Sequence, residues 1–251
     1  MSSTASSRSG SRSTCSAEGP HGVLAASVPM PFDLVRFAGT VLAAATAALH
    51  VRAEYRGPRW QVYLCKPLTT ALLLILALLA QGSGARYQAA VAVGLTLSLF
   101  GDVFLMLPGD RFVAGLASFL LAHVAYLVAF TAGVPLGTAP WLLAPYALAG
   151  AAVLRLVWPR LRRLRGPVLL YVAVIVAMAW QAAAGAWTLR TTPALLAAAG
   201  AALFVASDAL LALNRFRTPF RSAQALVMST YVAAQWLIAL SVGPGPAAAS
   251  P

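Results

Sequence analysis

Negative charge is nearly missing from this chain. Its 251 residues include six carboxylates against eighteen lysines and arginines, and only 10% of residues are charged. So few charges cannot solvate the surface of a water-soluble enzyme. With 60% hydrophobic residues and a mean hydropathy of +0.79, the composition is that of an integral membrane protein. Cysteine is almost absent: Cys15 lies near the N-terminus and Cys65 beside a membrane entry, which excludes a disulfide framework and a CxxC metal site. Histidine is equally sparse. His21, His50 and His123 share no short ligand spacing, so neither a three-ligand zinc centre nor any other cofactor is expected. The formal charge of +12 would suggest nucleic acid in a soluble protein. Here the arginines sit in short segments between apolar runs, where they fix topology and meet anionic head groups. No nucleic-acid partner is expected.

What is present is apolar length. Residues 1–31 are a Ser- and Arg-rich tail with too few large apolar side chains to fold. Its one apolar stretch, "GVLAASV", is too short and too late for a signal peptide. Eight apolar segments follow, at 32–50, 62–81, 87–107, 112–133, 140–158, 167–188, 194–213 and 220–242, each near the ~20 residues of a spanning helix. The expected architecture is an all-α bundle of eight transmembrane helices over 32–243, with a short flexible end at 244–251. The odd-numbered linkers hold Arg52, Arg56, Arg59, Arg111, Arg160, Arg162, Arg163, Arg165, Arg215 and Arg217, while the even ones hold only Arg86 and Arg190. That bias puts the odd linkers in the cytoplasm and both termini outside. Richness in arginine and alanine suggests a GC-rich bacterial genome, hence a bacterial inner membrane. A faint internal repeat also shows. "GDVFLMLPGDRF" and "SDALLALNRF" match loosely near the ends of the third and seventh helices, and Pro67 and Pro167 open the second and sixth. Two parallel four-helix repeats with a site between them would explain both matches.

Only two carboxylates, Asp102 and Asp208, lie inside predicted spans. Each sits five or six residues from the cytoplasmic end of its helix, about 8–9 Å deep at ~1.5 Å per residue. Lys66, the chain's single lysine, starts the second helix near the same face. An intramembrane carboxylate costs about 2.5–3.5 kcal/mol on insertion scales and usually faces a bundle interior for a functional reason. A purely structural Lys66–aspartate pair is the simpler account, but it needs only one aspartate. Gly94, Ser98 and Asp102 share one face of the third helix, where small residues admit a close neighbour. Phe119, His123 and Tyr126 share a face of the fourth helix; Gln224, Met228, Tyr231 and Gln235 form a stripe on the eighth. Taken singly, each stripe reads as interhelical hydrogen bonding, and His123 as a core histidine. Together they outline a polar pocket ringed by aromatics. Asn214, Arg215 and Arg217 stand at its mouth, Arg217 as a topology charge.

"CKPLTT", "SLFGDVFLML", "DRFVAGLASFLLAHVAYLVAF", "GAALFVASDALLALNRF" and "MSTYVAAQWLIA" together resemble the YhhN-like lysoplasmalogenase family over roughly residues 36–240. The resemblance implies an eight-helix membrane hydrolase. Such an enzyme cleaves the vinyl ether of a lysoplasmalogen to a fatty aldehyde and a glycerophospho-ethanolamine or -choline. It also implies that the motif aspartates are Asp102 and Asp208. Vinyl ether hydrolysis needs one carboxylic acid to protonate the β-carbon and one carboxylate to steady the oxocarbenium ion and activate water; glycosidases divide the work similarly. Lys66 would keep one aspartate ionised while the other serves as the acid, with Asp208 marginally favoured. Alternatively Lys66, Arg111 or Arg215 would bind the lipid phosphate. The substrate would be a lysophospholipid entering from the bilayer. The rival reading is a proton-coupled small-molecule transporter using the same aspartates; a third keeps the fold and takes another enol ether or lysolipid.

Overall fold

A computed structural model describes residues 31–243; the expectations for the N-terminal tail and for residues 244–251 lie outside this range. The described residues form helices only: α1 (Pro31–Arg56), α2 (Arg59–Leu79), α3 (Ala85–Met106), α4 (Phe112–Phe130), α5 (Leu143–Leu161), α6 (Arg165–Leu189), α7 (Thr192–Phe216) and α8 (Ala223–Leu240). In lipid every backbone N–H and C=O must find a partner inside the protein, and an apolar run of ~20 residues does so within its own segment, as a helix. Short 3₁₀ turns, Pro140–Leu142 and Arg162–Leu164, precede α5 and α6. Residues 140–189 are helical for 50 residues, or about 75 Å at ~1.5 Å per residue, more than twice a ~30 Å hydrocarbon core. The stretch is two crossings: the chain reverses at Arg162, whose φ is +46°, and α6 packs back on α5. The other six long apolar helices complete eight.

The helix pairing has an internal order. The neighbours α1–α2, α2–α3 and α3–α4 recur as α5–α6, α6–α7 and α7–α8, and the halves join through α4 on α6 and α8 on α2. Adding four to each label maps one set onto the other, as a parallel four-helix repeat requires. The peripheral helices break the rule: α1 also rests on α8, while α5 rests on α7.

Packing repeats at the residue level. Gly94 and Gly200 each stand eight residues before their half's aspartate. A Cβ on Gly94 would overlap the Tyr126 ring of α4; one on Gly200 would lie 2.8 Å from Ile238 Cγ1 and 2.9 Å from the Ala234 carbonyl oxygen of α8. Both glycines let the third helix of a half close on the fourth. We predict that Gly200→Val, which strikes backbone, costs about 1–3 kcal/mol of overpacking and lowers the melting temperature in detergent. Gly94→Val drives into the fully buried Tyr126 ring, which Gln235 holds, and should cost a similar amount. The bundle is apolar on both sides of its wall: Leu73, Leu95, Phe204, Met178 and Ile238 fill the core, while Phe37, Leu78, Val93, Leu148 and Leu195 face outward.

Candidate active site

A chamber of about 680 Å³ opens between the halves on the face that carries the odd-numbered linkers. Asp102 of α3 and Asp208 of α7 both line it, with Lys66 of α2, Tyr231 of α8, and Arg111, Asn214 and Arg215 at its mouth. Three other candidates stand behind it. Tyr126 donates to Gln235 Oε1 at 2.6 Å in the buried layer beneath the chamber, and His123 packs edge-on against Phe204 and Tyr171.

Each helix satisfies its own backbone, so each buried carboxylate must find partners on other helices. The two do so symmetrically. Asp102 Oδ2 accepts from Thr70 Oγ1 of α2 at 2.7 Å and from Tyr231 Oη of α8 at 2.8 Å. Asp208 Oδ2 accepts from Tyr171 Oη of α6 at 2.5 Å and lies 3.7 Å from His123 Nε2 of α4. In both cases the aspartate belongs to the third helix of a half. It meets the second helix of its own half and the fourth of the other.

The symmetry fails at one position. Lys66 Nζ lies 3.3 Å from Asp102 Oδ1, its side chain 9% exposed. Lys66 precedes Pro67; the residue that precedes Pro167 is Gly166. The second half therefore offers Asp208 the Tyr171 hydroxyl, with the His123 ring coming from the first half, where the first half offers Asp102 an ammonium. Exposure differs too. Asp102 is 1% exposed and Asp208 16%, so Asp208 presents the more accessible carboxyl to the chamber.

The mouth carries both signs of charge. Arg215 Nη2 donates to both oxygens of Asp110, at 2.8 and 2.6 Å, and so ties the end of α7 to the α3–α4 loop. Asn214 Oδ1 accepts from the Phe220 backbone N–H and holds the α7–α8 loop. Arg59 and Arg111 line the mouth and pair with no carboxylate among the described residues. Glu54 faces the same space, accepting from Gln224 Nε2 at 3.1 Å with His50 Nε2 3.6 Å away. Thr70, Tyr171 and Glu54 were not among the candidates drawn from the sequence, and Arg59 stood there only as a topology charge. Thr70 and Tyr171 had one signal, their place one turn beyond the paired prolines. Among the described residues no three His, Cys, Asp or Glu side chains group as a metal site.

Residues 60–242 match the model of the YhhN family. The chain is 35% identical over 198 residues to an uncharacterized membrane protein YhhN of Escherichia coli, covering 78% of this chain and 94% of that one. It is 38% identical over 199 residues to the human lysoplasmalogenase TMEM86A, covering 73% and 79%. With the pig lysoplasmalogenase TMEM86B it shares 35% over 190 residues, covering 75% and 78%. No solved structure matches. A match running from the start of α2 to the end of α8, and taking in both aspartates and all their partners, makes this chain a member of the YhhN family of membrane proteins.

Proposed function

We propose that this protein hydrolyses the vinyl ether bond of a lysoplasmalogen, releasing a fatty aldehyde and a glycerophospho-alcohol. The observation that carries the reading is the unequal pair: two carboxylates face one chamber, one held by a lysine and the other met, among the described residues, by a tyrosine and a histidine. Related chains are named lysoplasmalogenases, which supplies the reaction class.

Asp208 is the acid. It transfers its proton to the β-carbon of the enol ether, and the electron pair of the ether oxygen completes the oxocarbenium ion. Asp102, fixed by Lys66, Thr70 and Tyr231, faces that cation and takes a proton from the attacking water. The new C–O bond gives a hemiacetal. Asp102 then returns its proton to the glycerol oxygen as that C–O bond breaks, and the hemiacetal hydroxyl releases its proton to Asp208. One water is consumed and both carboxyls are restored. Tyr171 positions Asp208.

The free guanidiniums of Arg59 and Arg111 suit the phosphate, and Glu54 the amine, of a zwitterionic head group. Lys66 is engaged by Asp102 and Arg215 by Asp110, which leaves the phosphate to the other two. Arg111→Gln is expected to raise KM about tenfold or more, because a hydrogen bond to a charged group is worth roughly 1.5–3 kcal/mol. Its kcat should not change, since the phosphate is remote from the vinyl ether. Initial rates across substrate concentration separate the two. The chamber mouth lies in the cytoplasm of a bacterial cell and both termini outside, on the arginine bias.

A carrier would need a path to the opposite face. Leu95, Tyr126, Phe204 and Gln235 are fully buried beneath the chamber and fill that path. The deciding experiment is aldehyde release from an alkenyl-lysophosphoethanolamine by the purified protein in detergent. Release supports the hydrolase. Folded protein without release, together with substrate flux in proteoliposomes, would establish the carrier instead.

A further inference from the structure

Asp208 belongs to two cavities. Besides the polar chamber it lines an apolar groove of about 500 Å³ bounded by α4, α5, α6 and α7. The two spaces share three wall residues, Phe112, Asp208 and Leu211. Along one side the groove follows α5 from Pro145 to Val157, about 18 Å at ~1.5 Å per residue. That is close to one leaflet of a ~30 Å hydrocarbon core. On α7 the groove is lined by the small residues Ala202 and Ala206, both exposed. Ala206 stands two residues from Asp208, and Ala202 about 9 Å along the helix from it.

We infer that this groove holds the single hydrocarbon chain of the lipid, with the end that bears the enol ether at Asp208 and the chain passing on between Tyr146 and Ala202. The inference rests on the hydrolase reading for the identity of the head, but not for the place of the chain. Two features select this groove. It shares three wall residues with the polar chamber, and Asp208, a carboxylate of the chamber, is one of them. The groove between α1 and α8, about 610 Å³ and equally apolar, runs as far along its helix, from Thr40 to Arg52, but it shares only Met228 with the chamber and reaches neither aspartate. A chain in the α5–α7 groove brings its first carbons past Asp208 and leaves its polar head among Arg59, Arg111 and Glu54. Among the described residues the other apolar cavities, of about 280 and 610 Å³, reach neither aspartate and so offer a second chain no place beside Asp208. The groove therefore selects lysolipids by chain number.

The test needs no turnover. A saturated-ether lysophosphoethanolamine with a diazirine about eight carbons along its chain is bound to the purified protein, irradiated, and mapped by peptide mass spectrometry. Labels are expected on α5 near Tyr146 and on α7 near Ala202. An excess of unlabelled lysolipid should remove them, and an equal excess of diacyl-phosphatidylethanolamine should not. Ala202→Trp, at an exposed position outside the core, should cut labelling by a sixteen-carbon probe about tenfold and spare an eight-carbon probe; Ala206→Trp should cut both. Labels in the α1–α8 groove, equal competition by the diacyl lipid, or unchanged labelling of Ala202→Trp would each overturn the inference. Labels in the α5–α7 groove without aldehyde release would keep the chain site and discard the reaction. Aldehyde release with labels elsewhere would do the reverse.

Discussion

Asp208→Asn is expected to cut aldehyde release by about 10²–10⁴-fold, the usual contribution of a positioned general acid, while leaving the protein as stable as before. The amide keeps the shape of the carboxyl, and its carbonyl still accepts from Tyr171. What it lacks is a proton to give. The vinyl ether makes that loss large, because protonation at carbon starts the reaction and no other acidic side chain near Asp208 stands ready. Asp102 is held as a carboxylate by three donors, one of them the Lys66 ammonium, and so has no proton to give at the first step. Tyr171 already spends its hydroxyl on Asp208. His123 is fully buried behind the chamber. The check is kcat against an alkenyl-lysophospholipid, with the melting temperature and gel-filtration profile measured beside it. A fall in rate without a fall in stability assigns the proton to Asp208. A variant that keeps its rate would remove the acid from the scheme.

The asymmetry behind this expectation was only half legible in the sequence. A carboxylate inside an apolar run announces itself, because its insertion cost must be offset by something. Asp102, Asp208 and Lys66 were visible on that ground. Two of their partners were not: a threonine or tyrosine in a membrane helix costs little and is common at helix contacts, so beyond their place one turn after the paired prolines nothing marks Thr70 or Tyr171 as different from Thr96 or Tyr63. The stripes on α4 and α8 had the right faces but not the right depth. Tyr231 reaches Asp102, whereas Tyr126 and Gln235 satisfy each other one layer below. The helices show the same division. Apolar length locates all eight crossings, since lipid permits only helix there. The ends drift where the helix outlasts the apolar run. The sequence places the end of the first span at residue 50, yet α1 continues to Arg56, through Arg52 and Glu54, and so carries Glu54 to the chamber mouth. Hydropathy measures the lipid, not the helix. The apolar groove beside Asp208 left no mark at all, because alanines that line a cavity and alanines that pack a neighbour read alike.

Lys66 and Asp102 give the second large effect, and it falls on stability as well as rate. Lys66→Met is expected to destabilise the protein by about 3–5 kcal/mol, because it leaves a carboxylate in the bundle without its cation. Asp102→Asn should cost a similar amount by stranding the ammonium. The two losses should not add. In the double variant neither charge remains, Thr70 and Tyr231 still have an oxygen to bond, and much of the stability should return, with a coupling of roughly 0.5–3 kcal/mol or more. The measurement is a double-mutant cycle on melting in detergent, run with aldehyde release on the same four proteins. Stability and activity should part company in the double variant. If the pair were only a clamp on α2, α3 and α8, restoring the clamp with neutral groups would restore the rate. If Asp102 receives the proton of the attacking water, the repaired fold stays inactive, since an asparagine cannot take that proton. A stable and inactive double variant therefore separates the work of the carboxylate from the work of the pair. A stable and active one would leave Asp208 alone in the chemistry.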